Sequence, residues 1–441
     1  MKRRVVIRAF TLRRDAGAAL LLRDVLRRMN CDSVVACSRN FNTALSRWKP
    51  HAVVVNTIGV IEPTRKLAPD AALILWPGEG SEPEASSDAT YLLKQPGSFE
   101  ALDRVLVWGD MTTQHFIRHY GEQSLAKIVK CGNPRLDLLK CNDRLWSGAA
   151  RGNSIGIVGR FNSINHYDGR PTLYTLTNPA NLEPVLAQCR GLVLIVQVIR
   201  HLIENTGLTI SIRPHPLESP ENYKYIRDIA PDRISIDDSI DFANWAGQQR
   251  ALITPSSTSF VEAYLLRIPM INVDSLQGEV AYFRKRQPFA GLAAECGLAP
   301  ANFDELVQML ESDLAPPKQM IEIERHLDDG HDWYSPRSAI LRAAEATVEA
   351  IERKRPNVGR GWPLWLLRLY DELSFRRACA RNALHPNFNY KEGYHRTPEH
   401  FPRLLENIVA DKTVALGKAP PPHEAAPALD MSRSINERSV P

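Results

Sequence analysis

Twice along this chain, short runs of β-branched and aliphatic residues alternate with longer stretches of helical periodicity, and that alternation admits few folds. Apolar runs without a polar residue at every second position are strands buried on both faces, which is what parallel sheets with crossover helices supply. The first series places strands at 5–9, 33–37, 52–56, 71–76, 104–108 and 128–130. Between the first two, Ala19, Leu22, Val25, Leu26 and Met29 recur at helical spacing, so residues 16–29 read as a crossover helix. The second series places strands at 154–158, 208–212, 233–236, 251–254 and 270–273, with helices near 192–204, 222–228, 259–266 and 303–311. The predicted class is α/β, with two doubly wound, Rossmann-like domains at 1–140 and 154–350 facing a cleft and joined by a polar linker at 141–153. Such sheets bind ligands at the carboxyl ends of their strands, so the loops that follow strands are where chemistry is expected.

A basic, aromatic helical extension is expected at 351–412 and a disordered Ala/Pro-rich tail at 413–441. Residues 353–381 hold eight Lys and Arg against Asp371 and Glu372, an excess larger than the +5 of the whole 441-residue chain. Trp362, Trp365, Leu366, Leu367, Leu369 and Tyr370 lie among those bases. The stretch reads in three ways: an amphipathic contact with an anionic membrane surface, a helix packed across the domains, or a nucleic-acid patch. The last lacks any recognised module, so no nucleic-acid partner is expected. Seven cysteines form no CxxC pair, and the odd number argues against a complete disulfide set. Charges at Arg8, Arg13, Arg14 and Asp15 interrupt any signal-peptide core, and the apolar run at 191–197 is too short to span a bilayer. A cytoplasmic location follows, with attachment at the inner face of the cell membrane as its variant.

Three segments carry chemistry. In the first, an apolar strand runs into Arg213-Pro214-His215-Pro216, where two prolines fix the backbone around the imidazole at the sheet's carboxyl edge. A guanidinium fork and an imidazole held there suit a phosphate; a turn with a satisfied histidine is the alternative. In the second, Ser256, Ser257, Thr258 and Ser259 stand at a helix start, where free amides and the helix dipole favour phosphate oxygens. Glu262 follows Ser259 by three, so a capping box is possible with or without a ligand. The third, Gly132-Asn133-Pro134-Arg135, is a turn that closes the first half and brings Asn133 and Arg135 toward the cleft.

In this order, Arg104-Val-Leu-Val-Trp-Gly109, Gly132-Asn-Pro-Arg-Leu-Asp137, Arg213-Pro-His-Pro216 and Ser256-Ser-Thr-Ser259 with Glu262, the chain resembles bacterial surface carbohydrate biosynthesis proteins over about residues 1–350. These are related to CDP-glycerol glycerophosphotransferases and capsule polysaccharide transferases and share the two-Rossmann glycosyltransferase fold called GT-B. The resemblance implies a nucleotide-sugar or CDP-glycerol-like donor, held as substrate with no further cofactor. Arg213, His215, Ser256 to Ser259 and Glu262 carry over as donor-site candidates, and a glycan or lipid-linked acceptor would meet the first half. The expected reaction is transfer of a sugar or polyol phosphate to that acceptor. A nucleotide-sugar epimerase and a non-catalytic nucleotide- or glycan-binding scaffold are the alternatives.

No Asp-x-Asp pair, HExxH or Walker loop occurs, and the cluster of His326, Asp328, Asp329, His331 and Asp332 fits no metal template, so no metal is expected. Charge on the leaving phosphate would then fall to Arg213, His215 and helix-end amides. For the acceptor's proton, Glu79 in Trp76-Pro-Gly-Glu-Gly80 is the candidate base, and Asp15 after the first strand is its rival. A polar loop after the second half's first strand, with Arg160, Asn162, Asn165 and His166, supplies secondary candidates that either reach a ligand or remain a plain surface loop.

Overall fold

The computed structural model describes residues 2–78, 92, 95–146, 152–166, 172–178, 182–254, 259–277, 295–380 and 398–413. Two fully parallel sheets form its frame. The first comprises β1 (Arg3–Arg8), β2 (Cys31–Ala36), β3 (Ala52–Val55), β4 (Ala72–Leu75), β5 (Arg104–Val107) and β6 (Ile128–Lys130), in the order β2-β1-β3-β4-β5-β6. The second comprises β7 (Ser154–Val158), β8 (Thr209–Arg213), β9 (Ile234–Ile236), β10 (Ala251–Thr254) and β11 (Met270–Asn272), in the order β11-β10-β7-β8-β9. Among the described residues, all eleven strands fall on the predicted runs, within a residue or two. The architecture is two doubly wound Rossmann-like domains with additional C-terminal helices.

Burial on both faces explains why these runs are continuous in apolar residues. In the first sheet, Val5, Ile7, Val54 and Ile74 pack against the helix Leu12–Arg28, while Val6, Val53, Val55 and Leu73 pack on the opposite side against Phe41, Trp48 and Phe116. Successive strand side chains alternate between faces, so both need apolar residues. In the second sheet, Ile155, Ile157, Ile210 and Ile212 meet the helix Leu182–Asn205. Against the expectation that no stretch suffices, this 24-residue helix is long and apolar enough to cross a membrane. Its Leu194, Ile195, Val198, Ile199 and Leu202 are nevertheless the inner wall of the second core.

The domain boundary differs from the expected one at residue 350. The helix Ala339–Lys354 lies on the first sheet, where Ile340, Ala343, Ala344 and Ile351 share a core with Val5, Ile7 and the helix Leu12–Arg28. Its small residues let it approach the strands closely, a fit that helical periodicity alone does not reveal. The chain crosses back just before it, and the helix Ile321–His331 comes against the helix Asp110–Tyr120. At that crossing, a Cβ on Gly109 would collide with the backbone of Asp329 and Gly330, so glycine is what permits the approach. The C-terminal helix Phe401–Val409 packs on Leu12–Arg28, and His400 Nε2 lies 2.6 Å from Asp241 Oδ2 in the second domain. The expected tail from 414 onward and residues 147–151 of the expected linker lie outside the described residues.

Candidate functional site

Each sheet reverses its winding once, between β1 and β3 in the first and between β7 and β10 in the second. Loops diverge at such switch points and leave a crevice at the strands' carboxyl ends. The two carboxyl edges face each other here. Arg13, just after β1, donates from Nη2 to the carbonyls of His215 (2.9 Å) and Glu218 (2.6 Å) in the loop after β8. In the sequence Arg13 stands out only as a charge that interrupts a signal-peptide core. Its signal was present: two adjacent arginines open the first helix at the carboxyl edge of the first strand.

His215 occupies the centre of this junction. Its Nδ1 accepts the Leu217 amide at 3.2 Å, which leaves the ring proton on Nε2. Burial pushes the imidazole down to about 3, and the charges of Arg14, Arg160, Arg13 and His166 press it the same way. It is a neutral donor at physiological pH, acted on by Arg13 and Arg14 of the first domain and Arg160 of the second. Arg160 and Arg13 are themselves lowered to about 10; burial is the main cause for each. Asp274, in the loop after β11, pulls Arg160 back toward its ordinary value.

The loops that carry these groups rest on a buried carboxyl missed in the sequence. Glu218 accepts hydrogen bonds from the Phe161 amide and the Tyr223 hydroxyl, tying the loop after β7 to the one after β8. Burial pushes Glu218 up to about 7 even though these donors and Arg13 favour its ionised form. Asn165 reinforces the link, donating to the Ser219 carbonyl at 3.0 Å and accepting from Asn222 at 2.7 Å. Asn162 is partly exposed on the same loop.

Other sequence candidates have different duties. Arg213 is buried, and its guanidinium is bound to Asp237 and to Ser239, with Nη1 2.9 Å from Ser239 Oγ and Nη2 2.8 Å from the Ser239 carbonyl. It also lies over the Phe242 and Trp245 rings. The expected phosphate fork is thus a brace for the loop after β9. Asn133 is turned onto His331, Nδ2 to Nδ1 at 2.9 Å, at the crossing between domains. Arg135 does reach the cleft: it lies over Trp108 and bears electrostatically on both Asp15 and Glu262. Glu262 is raised by burial, with Arg135 and Arg213 acting against the rise. Ser259 occupies the N-cap position of the helix Phe260–Leu265 without a side-chain capping bond, so the expected capping box is not formed there.

Asp15 accepts from the amides of Phe10 (3.1 Å) and Thr11 (2.9 Å), from Asn56 Nδ2 (2.8 Å) and from Arg14 Nε (2.8 Å). Burial alone would raise its carboxyl, yet Arg14 and these donors hold it below the ordinary value. A carboxylate so saturated is a poor proton acceptor and a good anchor for Arg14. Gly78 lies beside Arg14: a Cβ there would be 3.0 Å from its Nη2. Glu79 itself, with Ser256, Ser257 and Thr258, lies outside the described residues. Among the described residues, no group of three or more His, Cys, Asp or Glu is arranged to hold a metal ion.

Comparison with known proteins gives no matching family model and no matching curated protein. Solved structures do match. The wall teichoic acid polymerase TagF aligns at 12% identity over 79% of this chain and 90% of its own, with a TM-score of 0.49. The likeness is one of fold. MnaA of S. aureus, solved with UDP, aligns at 12% identity over 82% of this chain and all of its own, TM-score 0.46. The UDP-GlcNAc 2-epimerase of Methanocaldococcus jannaschii, solved with UDP-GlcNAc and UDP, aligns at 14% identity over 78% and 99%, TM-score 0.44.

Proposed function

We propose that this protein is a metal-independent transferase that moves a sugar or polyol phosphate from a nucleotide-activated donor to a surface-glycan or lipid-linked acceptor. The observation that supports it is that Arg13 reaches the carbonyls of His215 and Glu218, beside a neutral His215 on which Arg14 and Arg160 also act electrostatically. A polyanion entering between these arginines is attracted to their charge. A nucleoside diphosphate carries the required charge in a compact form. His215 Nε2–H would donate to a phosphate oxygen, and the arginines would take up the negative charge that grows on the leaving phosphate. Glu262 and the hydroxyls of Ser256 to Ser259 remain donor-contact candidates, and Glu79 the candidate base for the acceptor hydroxyl.

The test is calorimetry with CMP, CDP, UDP, GDP and their sugar or glycerol conjugates, on wild type and His215→Ala. One nucleoside diphosphate should bind selectively and at least tenfold more weakly to the variant; equal binding to both, or none to either, would overturn the donor site. Turnover with the selected donor should need an acceptor and survive EDTA. Conversion without acceptor would favour an epimerase, and loss to EDTA with recovery in Mg²⁺ would overturn metal independence.

A further inference from the structure

The helix Leu364–Ala380 follows the segment that wraps the first domain, where the Trp362 amide donates to the Arg47 carbonyl at 2.8 Å. One face docks. Leu367 is buried in the core that holds Trp48 and Phe41, and Leu364 packs against it. Asp371 pairs with Arg39 at 2.5 Å, and Arg39 also lies over the Phe375 ring. On the opposite face stand Trp365, 65% exposed, Leu369, 46%, and Leu373, 56%, four residues apart along one stripe, with Tyr370 beside them. Spacing of four keeps side chains on one side of a helix, so the stripe is continuous and outward. Trp362 and Leu366, which also lie among the bases, are partly buried and stand off this stripe.

We infer that this outward stripe seats the protein on an anionic lipid surface. Charge supplies the choice of occupant. Arg353, Arg355, Arg360, Arg368, Arg376 and Arg377 are all exposed around the helix and the segment leading to it. Glu372 pairs with Arg376 and Glu349 with Arg353, which leaves a strong local excess of positive charge. A second copy of the chain on this face would set arginine against arginine. Lipid phosphates complement them, and the indole and two leucines reach the depth of the headgroup boundary, where such side chains partition favourably. Packing and lipid contact, alternatives in the sequence, are thus two sides of one helix. The inference stands apart from the nucleotide site, and each can fail alone.

The experiment is co-sedimentation of the full chain with vesicles of phosphatidylcholine alone and of phosphatidylcholine with about one-third phosphatidylglycerol. Binding should be at least tenfold stronger to the anionic vesicles and should weaken as salt rises. The variant Trp365→Ala/Leu369→Ala/Leu373→Ala alters exposed groups only, so it should keep the wild-type unfolding temperature and lose at least tenfold in vesicle binding. A second variant, Arg368→Gln/Arg377→Gln, should lose the preference for anionic lipid. Equal binding to both vesicle types, or wild-type binding by the triple variant, would overturn the inference. So would a lipid-free dimer that the triple variant dissociates, since the stripe's occupant would then be a second copy.

Discussion

Replacing Glu218 with glutamine isolates the cost of the buried carboxyl beside Arg13. In the folded protein this group titrates at about 7, against an ordinary value of 4.5, because burial outweighs its hydrogen bonds and the Arg13 charge. The folded state therefore holds the proton more tightly than the unfolded chain does. The stabilising contribution is complete below pH 4.5 and is lost as pH rises through about 7. Converted at 1.36 kcal/mol for each decade, the interval is worth about 3 kcal/mol. Glutamine keeps an oxygen for the Phe161 amide and a group that can pair with the Tyr223 hydroxyl, and carries no charge at any pH. Glu218→Gln should thus be near neutral at pH 5 and more stable than wild type by up to about 3 kcal/mol at pH 8. Urea unfolding at the two pH values reads this out. With a slope of about 3 kcal/mol per molar, the variant's midpoint should lie about 1 M above wild type at pH 8 and within about 0.3 M of it at pH 5. Histidines titrating over the same range shift both proteins together and cancel in the difference. A pH-independent difference would refute the argument, as would a variant less stable than wild type at pH 8.

Gly159→Ala places a Cβ 2.6 Å from the Tyr223 hydroxyl, 2.8 Å from Glu218 Oε2 and 3.2 Å from the His215 amide. It should cost about 1–3 kcal/mol in unfolding and weaken nucleotide binding together with stability; an unchanged unfolding midpoint would show that the loop yields freely. Arg13→Met removes the donor to three carbonyls of the other domain, those of His215, Pro216 and the buried Glu218. It should lower stability by about 1–3 kcal/mol and reduce nucleotide affinity as well, and a variant that bound nucleotide like wild type would separate Arg13 from the site.

The fold was legible because its determinants are local. A strand buried on both faces must be apolar throughout, and a helix on a sheet must repeat its apolar residues near every fourth position, so composition along the chain reports architecture directly. The loop after β8 was legible for a related reason: prolines at 214 and 216 constrain their own neighbours, and His215 is where they fix it. The helix Ala339–Lys354 shows where such reasoning ends. Its periodicity gives a helix, but nothing in its own residues chooses between two sheets that both offer an apolar face.

The arginines show the same limit in chemical terms. A guanidinium in the sequence is a charge without a destination, and Arg213 acquires its destination from Asp237 and Ser239, more than twenty residues away on the neighbouring strand's loop. That pairing explains why a motif aimed at phosphate by its position becomes a brace. Arg13 is the converse. Its partners are backbone carbonyls of His215 and Glu218, groups that every residue carries, so no side-chain pattern could have announced them. What can be read is the requirement those contacts satisfy. An arginine lodged between two domains brings a charge that burial penalises, and lowers its neighbours' affinity for protons. Arginines of two domains acting on one neutral imidazole leave positive charge at the junction, and a compact anion is the ligand whose charge complements it.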